Sequence, residues 1–288
     1  MVSSTFDIIR RFKNYIIFFC LLGSSSAIGQ QNAKWHGVMN QFIIDNSKGL
    51  KIAISYSSLK NTLDQYHGNS NITAPSSELI KAPFLFATLL ALENGSLNEE
   101  STFEIKATEI ARNGDGLLGP EDIGKSFTAP ALVNALVHFS DHSAANLLLR
   151  KVNMHRYFEK FAIKNTYFKI PLVDSLKNST LGIKNQTSTA DIINFQKYAF
   201  KKLSRKKAGK RLLEVLKQEN KVANNEFLNS LEKTYFIEED SDFVQGFSLV
   251  NDGEKPYLLS IMVMDFSDKA LAKASLENAT KVFIDSYR

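Results

Sequence analysis

Residues 50–57 alternate apolar and polar side chains, and a second strand-like run at 61–66 follows a short polar turn, which predicts two neighbouring β-strands. From 77 to 94 the period becomes helical. Leu79, Ile80, Phe84, Leu85, Leu89, Leu90 and Leu92 leave no polar face, so this helix is expected in the interior. Gly95 is placed to close it, because the left-handed backbone of a helix C-terminus costs glycine little. Helical spacing also marks 35–44, 129–138, 143–152, 155–162, 190–203 and 208–218. Strand character returns at 234–237, 244–250 and 257–264, before an amphipathic helix at 268–287. Strands at both ends of a helical middle predict an α+β fold. Its antiparallel sheet is built from N- and C-terminal strands flanked by helices, with an all-helical lobe over about 76–205. A cleft between sheet and lobe is the expected place for a ligand.

The first 29 residues stand apart from this pattern. Arg10, Arg11 and Lys13 precede an apolar run over 15–22, and the small residues Gly23 to Ala27 follow. This is the layout of a secretory signal, cleaved after Gly29, with an apolar stretch too short for a stable span. The expectation is an exported domain over 30–288, periplasmic or at the cell envelope, with no membrane span after cleavage. Cys20 offers lipid attachment as an alternative, but the bulky Phe18 and Phe19 before it fit that poorly. It is the only cysteine, so a cleaved chain has neither a disulfide nor a thiolate site.

Composition narrows the function further. Hydrophobic residues at 44% and charged residues at 23% are the balance of a soluble globular protein. The net charge is +5, and the leader accounts for +2 of it (three basic residues against Asp7), leaving +3. That is too little to argue for nucleic acid. The basic tract around Lys201 to Arg211 carries its own apolar stripe and reads as a solvated helix face. No glycine-rich phosphate loop is present, and the five histidines form no metal-ligand spacing. Neither metal nor cofactor is expected.

Three short constellations carry the chemistry. Glu78-Leu79-Ile80-Lys81 opens the buried helix, Ser140-Asp141-His142 precedes Ser143-Ala144-Ala145-Asn146-Leu147-Leu148, and Lys233-Thr234-Tyr235 begins a predicted strand. Together they resemble the S-x-x-K, S-D-N and K-T-G motifs of class A β-lactamases and the wider penicillin-recognising serine hydrolases. Ser140 lies 62 residues after Glu78, a separation typical of that family. Gly114-Asp115-Gly116-Leu117-Leu118 and Asn185-Gln186-Thr187-Ser188-Thr189-Ala190-Asp191 fit it too, with Ser188 or Thr189 as helix cap. The resemblance runs from Leu50 to Tyr287. It implies that Lys81 and Ser140 move protons, that His142 holds the lysine and a substrate amide, and that Lys233 and Thr234 bind a substrate carboxylate.

The departures from the family bear directly on activity. Glu78 stands where the nucleophilic serine belongs, and a carboxylate attacking an amide would have to expel a far worse leaving group than itself. A carboxylate in the first turn suits the helix dipole and can pair with Lys81 one turn on. Ser77, four residues before Lys81, is the alternative nucleophile. Tyr235 replaces the glycine that lets substrate lie along the strand, so its ring is expected to obstruct the groove. Between Asn165 and Thr189 there is no glutamate to activate a deacylating water, and Asp174, four residues before Asn178, is the nearest substitute. The leading expectation is a catalytically degenerate member of the fold, binding a peptidoglycan-related peptide, a β-lactam-like ligand or a partner protein. A working serine hydrolase using Ser77, Lys81 and Ser140 is the alternative. A carboxylate enzyme pairing Glu78 with Asp174 ranks third. Oligomeric state is not legible.

Overall fold

Every side chain of β8 (Val244–Asn251) and β9 (Tyr257–Met264) is buried, and so are seven of eight in β1 (Lys51–Ser58). These strands are therefore covered on both faces. The computed structural model describes residues 34–75, 78–111, 116–160, 163–166, 185–203, 205–207, 209–210 and 235–287. The leader, the expected helix over 208–218 and the segment holding Asp174 and Asn178 lie wholly or mostly outside these residues.

With β2 (Gln65–Gly68) and β7 (Tyr235–Asp240), the central strands form a five-stranded antiparallel sheet in the order β2-β1-β9-β8-β7. N- and C-terminal strands thus interleave, as an α+β fold requires. Alternation along β9 sends Tyr257, Leu259, Ile261 and Val263 to one core and Leu258, Met262 and Met264 to the other. The first core lies under α1 (34–45) and the C-terminal helix, α7 (Lys269–Tyr287). It is rich in rings: Trp35 meets Tyr56 edge-on at 5.3 Å and Phe283 at 5.7 Å.

The second core holds the helical lobe. Its axis is α2 (Lys81–Glu93), buried on all sides from Lys81 to Leu92, and beside it runs α6 (Thr189–Leu203). Ser55, Ser260 and Ser248 stand side by side across β1, β9 and β8. Small side chains there let α6 approach, and Thr189 and Gln196 hydrogen bond to Ser55 and Ser248 at 2.9 and 2.6 Å. Further helices are α3 (Ala129–His138), α4 (His142–Leu149) and α5 (Met154–Lys160).

Several boundaries differ from the sequence pattern. Residues 61–64 form a turn stapled by Asn61, whose side chain accepts from the Leu63 N–H, and pairing begins only at Gln65. The buried helix begins at Lys81 rather than 77. Residues 78–80 form a tighter turn in which Lys81 and Ala82 donate to the carbonyls of Glu78 and Leu79. Pro83 fits the first helical turn, where its missing N–H costs nothing. Gly95 takes φ 74° as the closing residue. Strand β7 runs on to Asp240, past the expected end at 237. The short pairs β3 (Ala74–Pro75) with β6 (Gln186–Thr187), and β4 (Thr102–Glu104) with β5 (Ser126–Thr128), were not expected.

Candidate functional site

Three elements meet at one point: the turn ahead of α2, the connection from α3 to α4, and the hairpin end of edge strand β7. Asp141 builds the second of these. Fully buried, it caps α4 by accepting from the Ala144 N–H at 2.8 Å, and its other oxygen takes the Leu118 N–H at 2.8 Å. Ser140 just before it has φ 49°, an uncommon left-handed conformation for serine. That turn aims its carbonyl at Lys81, whose Nζ donates to it at 2.7 Å.

Glu78 lies between two nitrogens. Its Oε2 accepts from Lys81 Nζ in a close salt bridge, and its Oε1 lies 2.8 Å from His142 Nε2. Lys81 is sealed from solvent, whereas Glu78 and His142 keep about a fifth of their side-chain surface, 22% and 18%. Burial works to raise the Glu78 carboxyl. The hydrogen bond from His142 and the charge of Lys81 outweigh it, holding the group at about 2. A carboxylate kept ionised can only accept, so Nε2 is the protonated nitrogen of His142. Burial pulls the Lys81 ammonium below its usual range, with Glu78 acting against it.

A residue with no warning in the sequence completes the cluster. Oε2 of Glu239, on β7, accepts from the backbone N–H groups of Glu78 and Leu79 at 2.7 and 3.2 Å. Glu239 is buried, and both that burial and the charge on Glu78 push its carboxyl upward, partly offset by the two N–H donors. It stands beside Gly246 in the β7–β8 register. A Cβ on Gly246 would lie 2.6 Å from the Ile261 carbonyl and 3.3 Å from Leu79 Cδ1, so glycine there lets the turn ahead of α2 seat against the sheet.

Of the residues expected to form the site, Glu78, Lys81, Ser140 and His142 come together. Tyr235 is not exposed at a groove mouth, although it lies near enough to Glu78 for that carboxylate's charge to act on its phenol. It pairs with Val250, at the end of β7 remote from the hairpin, and its ring is buried edge-on against Phe86 at 5.2 Å. Obstruction of the groove by this ring is thus replaced by a core contact. The physical reason is register: Tyr235, Ile237 and Glu239 alternate along one face, and Glu239 is the member that reaches Glu78. Ser77, Asp174, Lys233 and Thr234 lie outside the described residues. Among the described residues no group of three His, Cys, Asp or Glu is placed to hold a metal.

A five-stranded antiparallel sheet with a helical lobe, and a lysine that opens a buried helix and faces an S-D-x loop, define a serine β-lactamase-like scaffold. The sequence model of the beta-lactamase enzyme family matches residues 38–235, well over half of the chain, and the protein belongs to that family. Solved structures share the fold. A variant of PBP-A, in its acyl-enzyme complex with penicillin G, superposes with a TM-score of 0.72 at 17% identity, covering 88% of this chain and 96% of that one. A beta-lactamase from Chitinophaga pinensis gives 0.71 at 15%, covering 90% and 100%. The TLA-1 extended spectrum beta-lactamase gives 0.71 at 15%, covering 86% and 98%. Identities this low speak for the fold alone. No curated protein sequence matches the chain.

Proposed function

We propose that this protein is an exported β-lactamase-fold member that does not acylate, and that its groove binds a ligand at the cell envelope. The observation carrying the reading is the double engagement of Glu78. Serine acylation needs an alcohol at the helix start and a lysine free to take its proton. Here the side chain at 78 is an ionised carboxylate, and the lysine's ammonium is spent on that carboxylate and on the Ser140 carbonyl. The alternative, a hydrolase using Ser77, would need the same Lys81 nitrogen and is disfavoured for that reason.

A binding role fits the surface beside the cluster. Leu117 and Phe139 stay 56% and 46% exposed, and they are held close to each other by the hydrogen bond from the Leu118 N–H to Asp141, two residues after Phe139. Apolar contacts next to partly open Glu78 and His142 suit a peptide with both kinds of group, and a peptidoglycan-related peptide is the ligand class we favour. The export reading rests on the basic-then-apolar leader. It is compatible with the described residues, in which no helix is long and apolar enough to cross a membrane.

Turnover of a chromogenic cephalosporin tests this directly. The expected rate equals that of buffer for the wild type and for Ser140→Ala alike. Hydrolysis above buffer that Ser140→Ala or Lys81→Met abolishes would defeat the proposal.

A further inference from the structure

The first backbone N–H groups of a helix have no acceptor within it and need one from elsewhere. Those of Glu78 and Leu79, in the turn leading into α2, converge on a single oxygen of Glu239. In serine acyl transfer the nucleophile's own backbone N–H is one of the donors that stabilise the oxyanion. At position 78 that donor is directed at a carboxylate of the same chain. Glu239 reaches it from another element, strand β7, with its backbone fixed by the β7–β8 ladder opposite Gly246. Placing this carboxylate out of water, near the ionised Glu78, is unfavourable on Coulomb grounds. The paired N–H donors, with a hydrogen bond from the Ser241 side chain and the charge of Lys81, offset part of that cost.

We propose that Glu239 is an internal ligand, an autoinhibitory contact whose carboxylate fills an anion pocket made by the Glu78 and Leu79 amides and closes it to anions from solution. The class of ligand that the vacated pocket would take is a small carboxylate or an oxyanion. This deepens the non-acylating reading by adding a second block, on β7, to the one at Glu78. Glu78, whose amide is one of the two donors, keeps part of its side-chain surface, and removal of the glutamate side chain leaves room beside that amide for a small anion.

The test is chemical rescue, with no β-lactam present, so its outcome is separable from that of the turnover assay. Thermal unfolding of Glu239→Ala is followed in sodium formate and in sodium chloride at equal ionic strength. The expected result is a saturable rise in Tm of a few degrees specific to formate. Neither the wild type nor Glu239→Gln, which keeps an acceptor oxygen in the pocket, should show it. Should Glu239→Ala fail to fold in chloride, the yield of soluble protein refolded in formate reads the same pocket. A Tm or yield indifferent to the choice of anion would overturn the proposal, because a merely structural Glu239 predicts loss of stability without formate rescue. An equal formate response in the wild type would overturn it as well.

Discussion

Two neighbouring carboxylates, Glu78 partly exposed and Glu239 buried, shift in opposite directions, and each has its own consequence for stability. Glu78 is held at about 2, below its unfolded value of 4.5. Its contribution is therefore present above pH 4.5 and lost as the pH falls towards 2, and the shift is worth roughly 3 kcal/mol. Glu239 is raised, so its contribution is present at low pH and lost as the pH rises through its folded value. Chemical unfolding across pH 2 to 8 should show that Glu78→Gln flattens the acid limb. Glu239→Gln should gain on the wild type as the pH rises above 4.5. Parallel profiles for both variants would contradict the assignment. Glu78→Ala goes further, stranding buried Lys81 without its counter-ion, and is expected to cost about 3–5 kcal/mol.

At this scale the sequence placed Glu78, Lys81, Ser140 and His142 well, because motif spacing along helices translates into distance. It did not place Glu239. The end of β7 reads Glu238-Glu239-Asp240, with none of the apolar alternation that marks a strand, and Glu239 meets Glu78 only through the pairing of β7 with β8. Tyr235, expected to lie across a groove, is instead a buried ring for the same reason. A tripeptide match carries no information on how far it lies from the hairpin turn.

Elements were legible where apolar periodicity ran for two turns of helix or four residues of strand. The two- and three-residue pairs β3–β6 and β4–β5 are too short to show a period, and they depend on contacts distant in sequence. The start of α2 was misread because the tight turn 78–80 keeps the same apolar spacing as the helix it precedes. That turn is seated by Gly246, which yields a test of the element. Gly246→Ala drives a Cβ against the Ile261 carbonyl and towards Leu79. It should cost about 1–3 kcal/mol in urea unfolding with an unchanged m-value. A neutral outcome would mean that the turn does not depend on close approach to the sheet.

The whole molecule has the architecture of its family, and two acids meet at the junction of its sheet and helical lobe. One comes from the helical lobe and one from the sheet. Both bear on the features acyl transfer requires, a free lysine and a free backbone N–H at the nucleophile position. Glu78 and His142 keep part of their surface at this junction, which is why we read binding rather than a purely structural role. The most direct check is the intact mass of the full-length wild-type protein after prolonged incubation with penicillin G and denaturation. The account predicts the unmodified mass alone. A stable adduct of one penicillin per chain, carried by any serine, would contradict it.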